Sequence, residues 1–350
     1  MPSRARSVVT VEDVARETGL SASSVSAVLS GRHVKRRIAP ETVERVMAAA
    51  KKLHYVPNVT ARSLRAKLSG TRQLVLTVMT SYEVPVLLVA QALRALEEVI
   101  ARRGDATAKY TVNVEMFHAG RLHQISGLSD GHRCNGAIIT NTIDVDDQFL
   151  AATKLPFPVV LLGRRIPGYA SVSLKSEMLG RKAAEILLEN GRRQLAVLQP
   201  AMLTQATRSR LSAFITKVEQ VVGLPPMMIT ADSLSERSGC LAMQRVLDFQ
   251  PRLEGLFAVS DGLAIGAYHA IKKSGRKIPT DVAVVGVGDN PASHYIDPPL
   301  TCFENAEGAQ HLAAAEMLIN LVHGSPPENL IVEVPTTALL RESTGHSRAG

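Results

Sequence analysis

Residues 10–31 read TVEDVARETGLSASSVSAVLSG, a pattern that predicts two short helices joined by a turn. Thr10 can cap the first helix through its hydroxyl, with Asp13 three residues later in the position of a capping box. Gly19 suits the left-handed backbone that ends a helix, and Ser21 can cap the second helix. This is the layout of a DNA-binding helix-turn-helix, and an ordinary helical hairpin from a larger core is the alternative.

The second helix is predicted to have one apolar face and one face of small residues. Val25, Val28 and Leu29 follow the i, i+3, i+4 spacing that would pack them against the first helix. The opposite face is small enough to enter a major groove. It carries Ala22, Ser23, Ser26 and Ala27.

The positive charge of the chain is concentrated at its N-terminus. The 350 residues carry 40 Lys+Arg and 32 Asp+Glu, a net charge of +8. Residues 1–72 contain 14 of the basic residues and 5 of the acidic ones, whereas the remaining 278 residues contain 26 and 27. A basic segment of this kind neutralises phosphates and releases counterions, so it favours nucleic acid as a partner.

The sequence lacks the patterns that would indicate export, a membrane span, a metal site or a cofactor. Three distant cysteines argue against a disulfide framework and lack zinc-ligand spacing, which favours a cytoplasmic protein. We find no apolar run long enough to span a membrane and no secretion signal. The histidines show no metal-site spacing, and the GVG at 286–288 lacks the third glycine of a dinucleotide loop. We therefore expect no metal, no cofactor and no membrane association.

The residues after the helix-turn-helix complete a compact headpiece. A third helix is predicted to begin at Pro40, after a basic loop at residues 31–37. Pro57 then interrupts the chain, and Asn58 can cap a fourth helix that is too short to be stable alone. This fourth helix is expected to fold on a partner.

From residue 74 onward, short apolar runs alternate with amphipathic stretches. This alternation predicts βαβ units, with parallel sheets covered by helices, and the length favours two lobes. The predicted strands are 74–79, 136–140, 158–162, 194–198, 256–259 and 282–287, and the predicted helices are 86–103, 176–190, 208–222, 235–248 and 261–274.

Several motifs occur in a specific order along the chain. They are VEDVA at 11–15, GLS at 19–21, VS at 25–26, YVPN at 55–58, ARSL at 61–64, VVG at 284–286, YIDPPLT at 295–301 and LREST at 340–344. With them the chain resembles the LacI/GalR family of bacterial transcription regulators over essentially its whole length.

The resemblance implies an all-α headpiece, an α/β core like a periplasmic binding protein, and repression by a homodimer on a pseudo-palindromic operator. The domains expected are the headpiece at 8–57, a hinge helix and linker at 58–73, and an effector-binding and dimerisation core at 74–345. Within the core, the N-lobe is expected at about 74–172 and 303–334, and the C-lobe at about 173–302 and 335–345. Few residues follow Thr344, so a dimer is expected rather than a tetramer.

The resemblance also assigns the DNA contacts. Leu64 matches the leucine that wedges into the minor groove, although a core position is its alternative. The residues expected to bind DNA are Thr10, Ser21, Ala22, Ser23, Ser24, Ser26, Ala27, Arg32, Tyr55, Asn58, Ala61, Arg62 and Leu64. Ala27 replaces an arginine common in the family, and residues 22–30 contain no side chain suited to bidentate base contacts. We therefore expect a weaker or differently encoded readout of the major groove. The basic loop at 35–37 is expected either to contact the DNA backbone or to be a solvated run of charges.

The effector site is expected between the lobes. Arg210 matches the family's effector-binding arginine, with a surface helix position as its alternative. The other residues expected at this site are Ser81, Ser260, Asp261 and Asp289. Gly288 stands where the family places an aspartate that binds sugar hydroxyls, and LKSE at 174–177 replaces a common Asp-Asn pattern, which argues against a sugar. A small molecule, a sugar or another metabolite, is the expected effector, and a core that no longer senses a small molecule is the alternative.

A serine hydrolase is a remote alternative to a regulator. Residues 127–131 read GLSDG and satisfy the Gly-x-Ser-x-Gly pattern of a nucleophile elbow around Ser129. That motif requires a strand before the serine and a helix after it. The preceding residues read as a helix or loop, so we expect no enzyme.

Overall fold

A computed structural model describes most of the chain. The described residues are 9–29, 33, 36–53, 55, 72–84, 86–129, 133–250, 252–288, 290–304 and 308–346. Within these ranges no helix combines the length and the apolar character needed to cross a membrane.

The N-terminal headpiece contains three described helices, α1 (Val11–Thr18), α2 (Ala22–Leu29) and α3 (Pro40–Lys52). The predicted capping box forms at the start of α1, where Thr10 Oγ1 accepts from Asp13 N at 3.3 Å and Asp13 Oδ2 accepts from Thr10 N at 2.9 Å. Gly19 ends α1 in the left-handed conformation, with φ 65°. Val14, Val25 and Val46 bring one buried side chain from each helix into a small apolar core.

The N-lobe is a six-stranded parallel sheet in the order β11-β5-β4-β3-β1-β2. Buried aliphatic side chains on both faces explain why its central strands are nearly continuous apolar runs. Its strands are β1 (Arg72–Ser81), β2 (Ala108–Phe117), β3 (Gly136–Thr140), β4 (Val159–Leu162), β5 (Ala170–Leu174) and β11 (Ile331–Val334). Its helices are α4 (Val86–Arg103), α5 (Asp144–Ala152) and α10 (Ala309–Val322).

The C-lobe repeats this plan in the order β12-β10-β9-β8-β6-β7, with β12 alone antiparallel to its neighbour. One apolar core joins the sheet to the helices around it. The strands are β6 (Leu195–Pro200), β7 (Met227–Ala231), β8 (Gly255–Ala258), β9 (Ala283–Val287), β10 (Thr301–Glu304) and β12 (Thr337–Leu339). The helices are α6 (Ser176–Glu189), α7 (Gln205–Val222), α8 (Glu236–Leu247) and α9 (Asp261–Lys273).

This architecture confirms the predicted fold class. Every strand and helix predicted in the core is present, with ends shifted by a few residues. The edge strands β2 and β7 were not predicted, since much of their surface is exposed and they lack a continuous apolar run. The short strands β5, β10, β11 and β12, whose apolar residues are interrupted by polar ones, and the helices α5 and α10 were not predicted either.

The chain passes between the lobes at three places. These crossings follow β5, β10 and β11, so they lie at residues 174–176, 304–309 and 334–337. The lobe boundaries expected at 172/173 and 302/303 fall inside β5 and β10. Each strand remains paired with its neighbour for one or two residues beyond the expected boundary. Three crossings place the carboxyl ends of both sheets around one cleft.

Helices α6 and α7 approach each other closely at Gly180. A Cβ atom built at Gly180 would lie 1.9 Å from the backbone oxygen of Arg210, so a side chain there would overlap the backbone of α7. Gly180 therefore fixes the position of the helix segment that carries Arg210.

Replacement of Gly180 with alanine is expected to push α7 away from α6. Overpacking of this kind typically lowers the free energy of unfolding by about 2 kcal/mol, which urea denaturation would measure. The matched control is Arg181→Ala, one residue later on the exposed side of α6, which is expected to change stability by less than about 0.5 kcal/mol. Equal effects of the two substitutions would contradict the close approach.

Candidate functional site

The candidate DNA-reading surface is built on α2. Ser21 Oγ accepts from Ser24 N at 3.1 Å, which caps the helix as predicted. The hydroxyls of Ser21 and Ser24 also lie 2.9 Å apart. These two side chains are therefore held at the N-terminus of α2, and Ala22 and Ser23 lie between them in its first turn.

Arg36 lies over the face of α2 that the sequence assigned to the major groove. Its Nη1 atom donates to Ser23 Oγ at 2.9 Å. Ala27 is one turn further along the same face and is only 1% exposed. The prediction that Ala27 lies on the reading surface is therefore wrong, because its side chain is buried within the headpiece.

The remaining predicted DNA contacts fall in different environments. Thr10 is exposed but its hydroxyl is engaged by the capping box, at 2.9 Å from Asp13 Oδ2. Tyr55 is half-buried against the apolar core of the headpiece. Arg32, Asn58, Ala61, Arg62 and Leu64 lie outside the described residues.

A cleft of about 670 Å³ lies between the two lobes. It is formed by the carboxyl ends of strands from both sheets, as expected for ligands of parallel α/β sheets. Four of the predicted effector residues line it, namely Ser81, Arg210, Ser260 and Asp261. Asp289 lies outside the described residues.

Arg210 contributes a cationic side chain to the C-lobe wall of the cleft. Its Nη1 atom donates to the backbone oxygen of Val259 at 3.0 Å, whereas its buried Nε atom has no hydrogen-bond partner among the described residues. Burial lowers the pKa of Arg210 to about 10, and the guanidinium remains charged at neutral pH. No acidic side chain of the described residues offsets this burial.

Asp261 is held in place by the turn that follows β9. Its Oδ2 atom accepts from Asn290 N at 2.7 Å and from Ser293 Oγ at 3.0 Å. Gly288 lies close by with φ +130°, a conformation that side-chain-bearing residues rarely adopt. The geometry therefore requires glycine where the family places an aspartate, and that position supplies no carboxylate to the cleft.

Arg164 is a lining residue that the sequence analysis missed. It follows β4, is 2% exposed, and lies 3.5 Å from Asp147 Oδ1 through its Nη1 atom. Burial lowers its pKa to about 10, against the opposing effect of Asp147 and Asp146. Its position near the carboxyl end of an apolar strand, as for Ser81 at the end of β1, is the signal that could have identified it.

Two further titratable groups lie on the N-lobe side of the cleft. Burial acts to raise the pKa of Glu83, but hydrogen bonds from His118 and from Ala119 N outweigh it and lower the pKa. His311, at the start of α10, is 5% exposed, and burial lowers its pKa to about 4. Glu83 is therefore a carboxylate and His311 a neutral imidazole at pH 7.

Contacts at the start of α7 join the two lobes beside the cleft. Gln205 Oε1 accepts from Arg165 N at 2.7 Å, and Arg208 forms an ion pair with Asp144. Both contacts link α7 of the C-lobe to loops or helices of the N-lobe, so they depend on the angle between the lobes.

The segment around Ser129 does not form a nucleophile elbow. A short 3₁₀ helix (Leu122–Gln124) and a turn precede the serine, and strand β3 follows it. A nucleophile elbow needs the reverse order of a strand before the serine and a helix after it. This geometry gives the hydrolase alternative no support.

Comparisons with known proteins identify both parts of the chain. Residues 10–58 match the family described as bacterial regulatory proteins, lacI family, and residues 184–344 match the periplasmic binding protein-like domain. This chain belongs to the LacI/GalR family. It is a DNA-binding transcriptional repressor of that family with an effector-binding core.

Individual relatives align with nearly the whole length of this chain. The HTH-type transcriptional regulator GalS of Salmonella typhimurium is 28% identical over 325 residues, which cover 91% of each chain. CelR of Thermobifida fusca is 25% identical over 340 residues, or 95% of this chain and 98% of CelR. The lac repressor dimer bound to operator and the anti-inducer ONPF superposes with a TM-score of 0.66 at 25% identity, covering 96% of this chain and 99% of that one.

The buried His311 of this LacI/GalR core is expected to make stability depend on pH. Its pKa of about 4 in the folded state lies below the ordinary value of about 6.5 in the unfolded chain, so the unfolded state binds more protons between these values. Its contribution to stability is therefore complete above pH 6.5 and is lost as the pH falls toward 4.

Urea denaturation at pH 7 and at pH 4.5 would measure this effect. From pH 7 to pH 4.5 the free energy of unfolding is expected to fall in both proteins. The fall in His311→Gln is expected to be about 2 kcal/mol smaller than the fall in the original protein. The exposed His269→Gln on α9 is the control and should keep the original pH dependence. If His311→Gln keeps the pH dependence of the original protein, His311 is not the source of that dependence.

Proposed function

We propose that the protein represses transcription as a homodimer on a pseudo-palindromic operator, under the control of a small molecule in the interlobe cleft. The observation that carries this proposal is the joining of a basic helix-turn-helix to a two-lobed core whose cleft contains Arg210 and Asp261. In this proposal residues 8–57 bind DNA, residues 58–73 form the hinge and residues 74–345 bind effector and partner. A cytoplasmic location follows from the proposed operator.

The exposed edges of the two sheets support a dimer. β2 and β7 are edge strands, and Val114 on β2 and Met228 on β7 are 40% and 45% exposed. Leu224, just before β7, is also exposed. Apolar side chains along unpaired edges favour burial against a second subunit.

The structure suggests how a recognition helix without arginine could still read bases. Arg36 is held beside Ser23 on the exposed side of α2, so its guanidinium is positioned to enter the groove with that helix. Arginine is the side chain best suited to contact guanine O6 and N7 together. We propose that Arg36 supplies the base contact, and that Leu64 adds a minor-groove contact from the hinge.

The volume of the cleft favours a core that senses a small molecule. A cavity of about 670 Å³ is within the range of small-molecule sites, which is about 300–1,000 Å³. A core that serves only to dimerise has no need for a buried arginine facing such a cavity. The alternative without an effector therefore has less support than the sensing core.

Selection from randomised duplex oligonucleotides tests the proposed function. The full chain is expected to enrich one sequence with two half-sites related by a two-fold axis, and sedimentation is expected to show two protein chains per duplex. Enrichment of a single half-site by a monomer would contradict the dimeric operator complex, and failure to enrich any sequence would contradict the repressor itself.

Arg36→Ala and Arg37→Ala are expected to separate base reading from phosphate binding. Each is expected to reduce the slope of log K against log salt by about 0.9 if it removes one phosphate contact or an equivalent charge. Only Arg36→Ala is expected to relax the base preference within each half-site, because Arg36 is bonded to Ser23 on the reading face of α2.

The control for this pair of variants is Arg237→Ala combined with Arg245→Ala, which removes two exposed charges from α8 of the core. It should leave both the salt slope and the base preference unchanged. Unchanged slopes in the Arg36 and Arg37 variants would exclude the loop from the interface, and equal relaxation in both would exclude Arg36 as the base-reading residue.

A further inference from the structure

The charge of the cleft is dominated by Arg210. The described residues place no acidic side chain beside it, and its Nε atom is buried without a hydrogen-bond partner. A buried cation without a counter-charge is costly unless a ligand supplies the negative charge. The second buried arginine, Arg164, already has Asp147 as its ion-pair partner.

Hydrogen bonds from the protein hold two of the carboxylates around the cleft. Asp261 accepts from Asn290 N and Ser293 Oγ, and Glu83 accepts from Ala119 N at 3.1 Å. Asp232 and Glu236 lie on the exposed C-lobe rim. Gln91 Oε1, Ser176 Oγ and His311 Nδ1 are further buried polar atoms that line the cleft, so the feature that sets Arg210 apart is its charge.

Much of the remaining wall is apolar. Aliphatic and aromatic side chains come from both lobes, so a ligand would be in contact with hydrocarbon on two sides. They include Leu88, Ile143, Leu162, Leu174, Val259 and Phe303. An apolar wall beside a cation that has no acidic partner favours a ligand that has one anionic group and an apolar body.

We propose that the effector is a small carboxylic acid with an apolar or aromatic body, whose carboxylate pairs with Arg210 between the two lobes. The proposal rests on the proposed function, because it assigns a ligand class to the same cleft. Arg210 offers the planar pair of N–H donors that matches a carboxylate. The apolar body would lie against side chains from both sheets and so would bind the two lobes together.

A phosphate group fits this arrangement less well. A phosphate monoester carries nearly two negative charges, and within the described residues Arg210 is the lining arginine that lacks an acidic partner. The anionic group should therefore be a monoanion, and the phosphate form is one outcome of the test.

The test compares acids with their neutral amides. Thermal unfolding and calorimetric titration of the full chain would use phenylacetate, indole-3-acetate and 1-naphthaleneacetate, each beside its amide. Phenyl phosphate, ribose and cellobiose complete the set. At least one acid is expected to raise the melting temperature and to bind at least about tenfold more tightly than its amide, as expected for charged hydrogen bonds to Arg210.

Variants at Arg210 test whether this side chain causes the preference for the acid over its amide. Arg210→Met is expected to remove the acid-over-amide preference, whereas Arg210→Lys should keep part of it because the charge remains. Lys217→Met, two turns later on α7 and outside the cleft lining, is the matched control and should keep the full preference. Circular dichroism and the unfolding transition of each variant verify that it is folded.

The remaining outcomes would overturn the proposal. They are equal binding of acid and amide, stabilisation by ribose or cellobiose with no response to any acid, binding of phenyl phosphate alone, and no response to any probe. Operator selection distinguishes these results from failure of the proposed function. A protein that enriches an operator but shows one of these outcomes remains a repressor with a different effector chemistry or none.

Discussion

The three passages of the chain between the lobes are the constraint on which the rest of the molecule depends. Each sheet alone would expose the carboxyl ends of its parallel strands to solvent. Because the chain crosses after β5, β10 and β11, those ends face each other across a cleft. Side chains distant in sequence, such as Ser81, Arg210 and Asp261, therefore line one cavity.

The sequence predicts the core well because burial on both faces makes the central strands easy to recognise. Predicted strand 136–140 coincides with β3, all of which is buried. β2 was missed because its residues alternate between exposed and half-buried positions, and edge strands of this kind resemble loops in sequence. Local patterns thus identify the long apolar runs of the framework better than the edges or the short interior strands β5 and β10.

The candidate site is less predictable because it depends on backbone geometry and on contacts between distant residues. Ala27 looked like a groove-facing residue from helical periodicity alone, but its burial within the headpiece depends on tertiary packing. Gly288 looked like the loss of a ligand contact, and only its φ of +130° shows that the backbone requires glycine there. Arg164 was missed because its burial depends on the pairing with Asp147 from another element.

Helix α6 joins one interlobe crossing directly to the effector wall. It begins at Ser176, immediately after the crossing, and one turn later Gly180 is pressed against the backbone of Arg210. Such a contact between two helix backbones leaves no flexible side chain to absorb a shift. A small displacement of the α7 backbone at Arg210 on ligand binding would therefore be passed directly to α6 and to the crossing before Ser176.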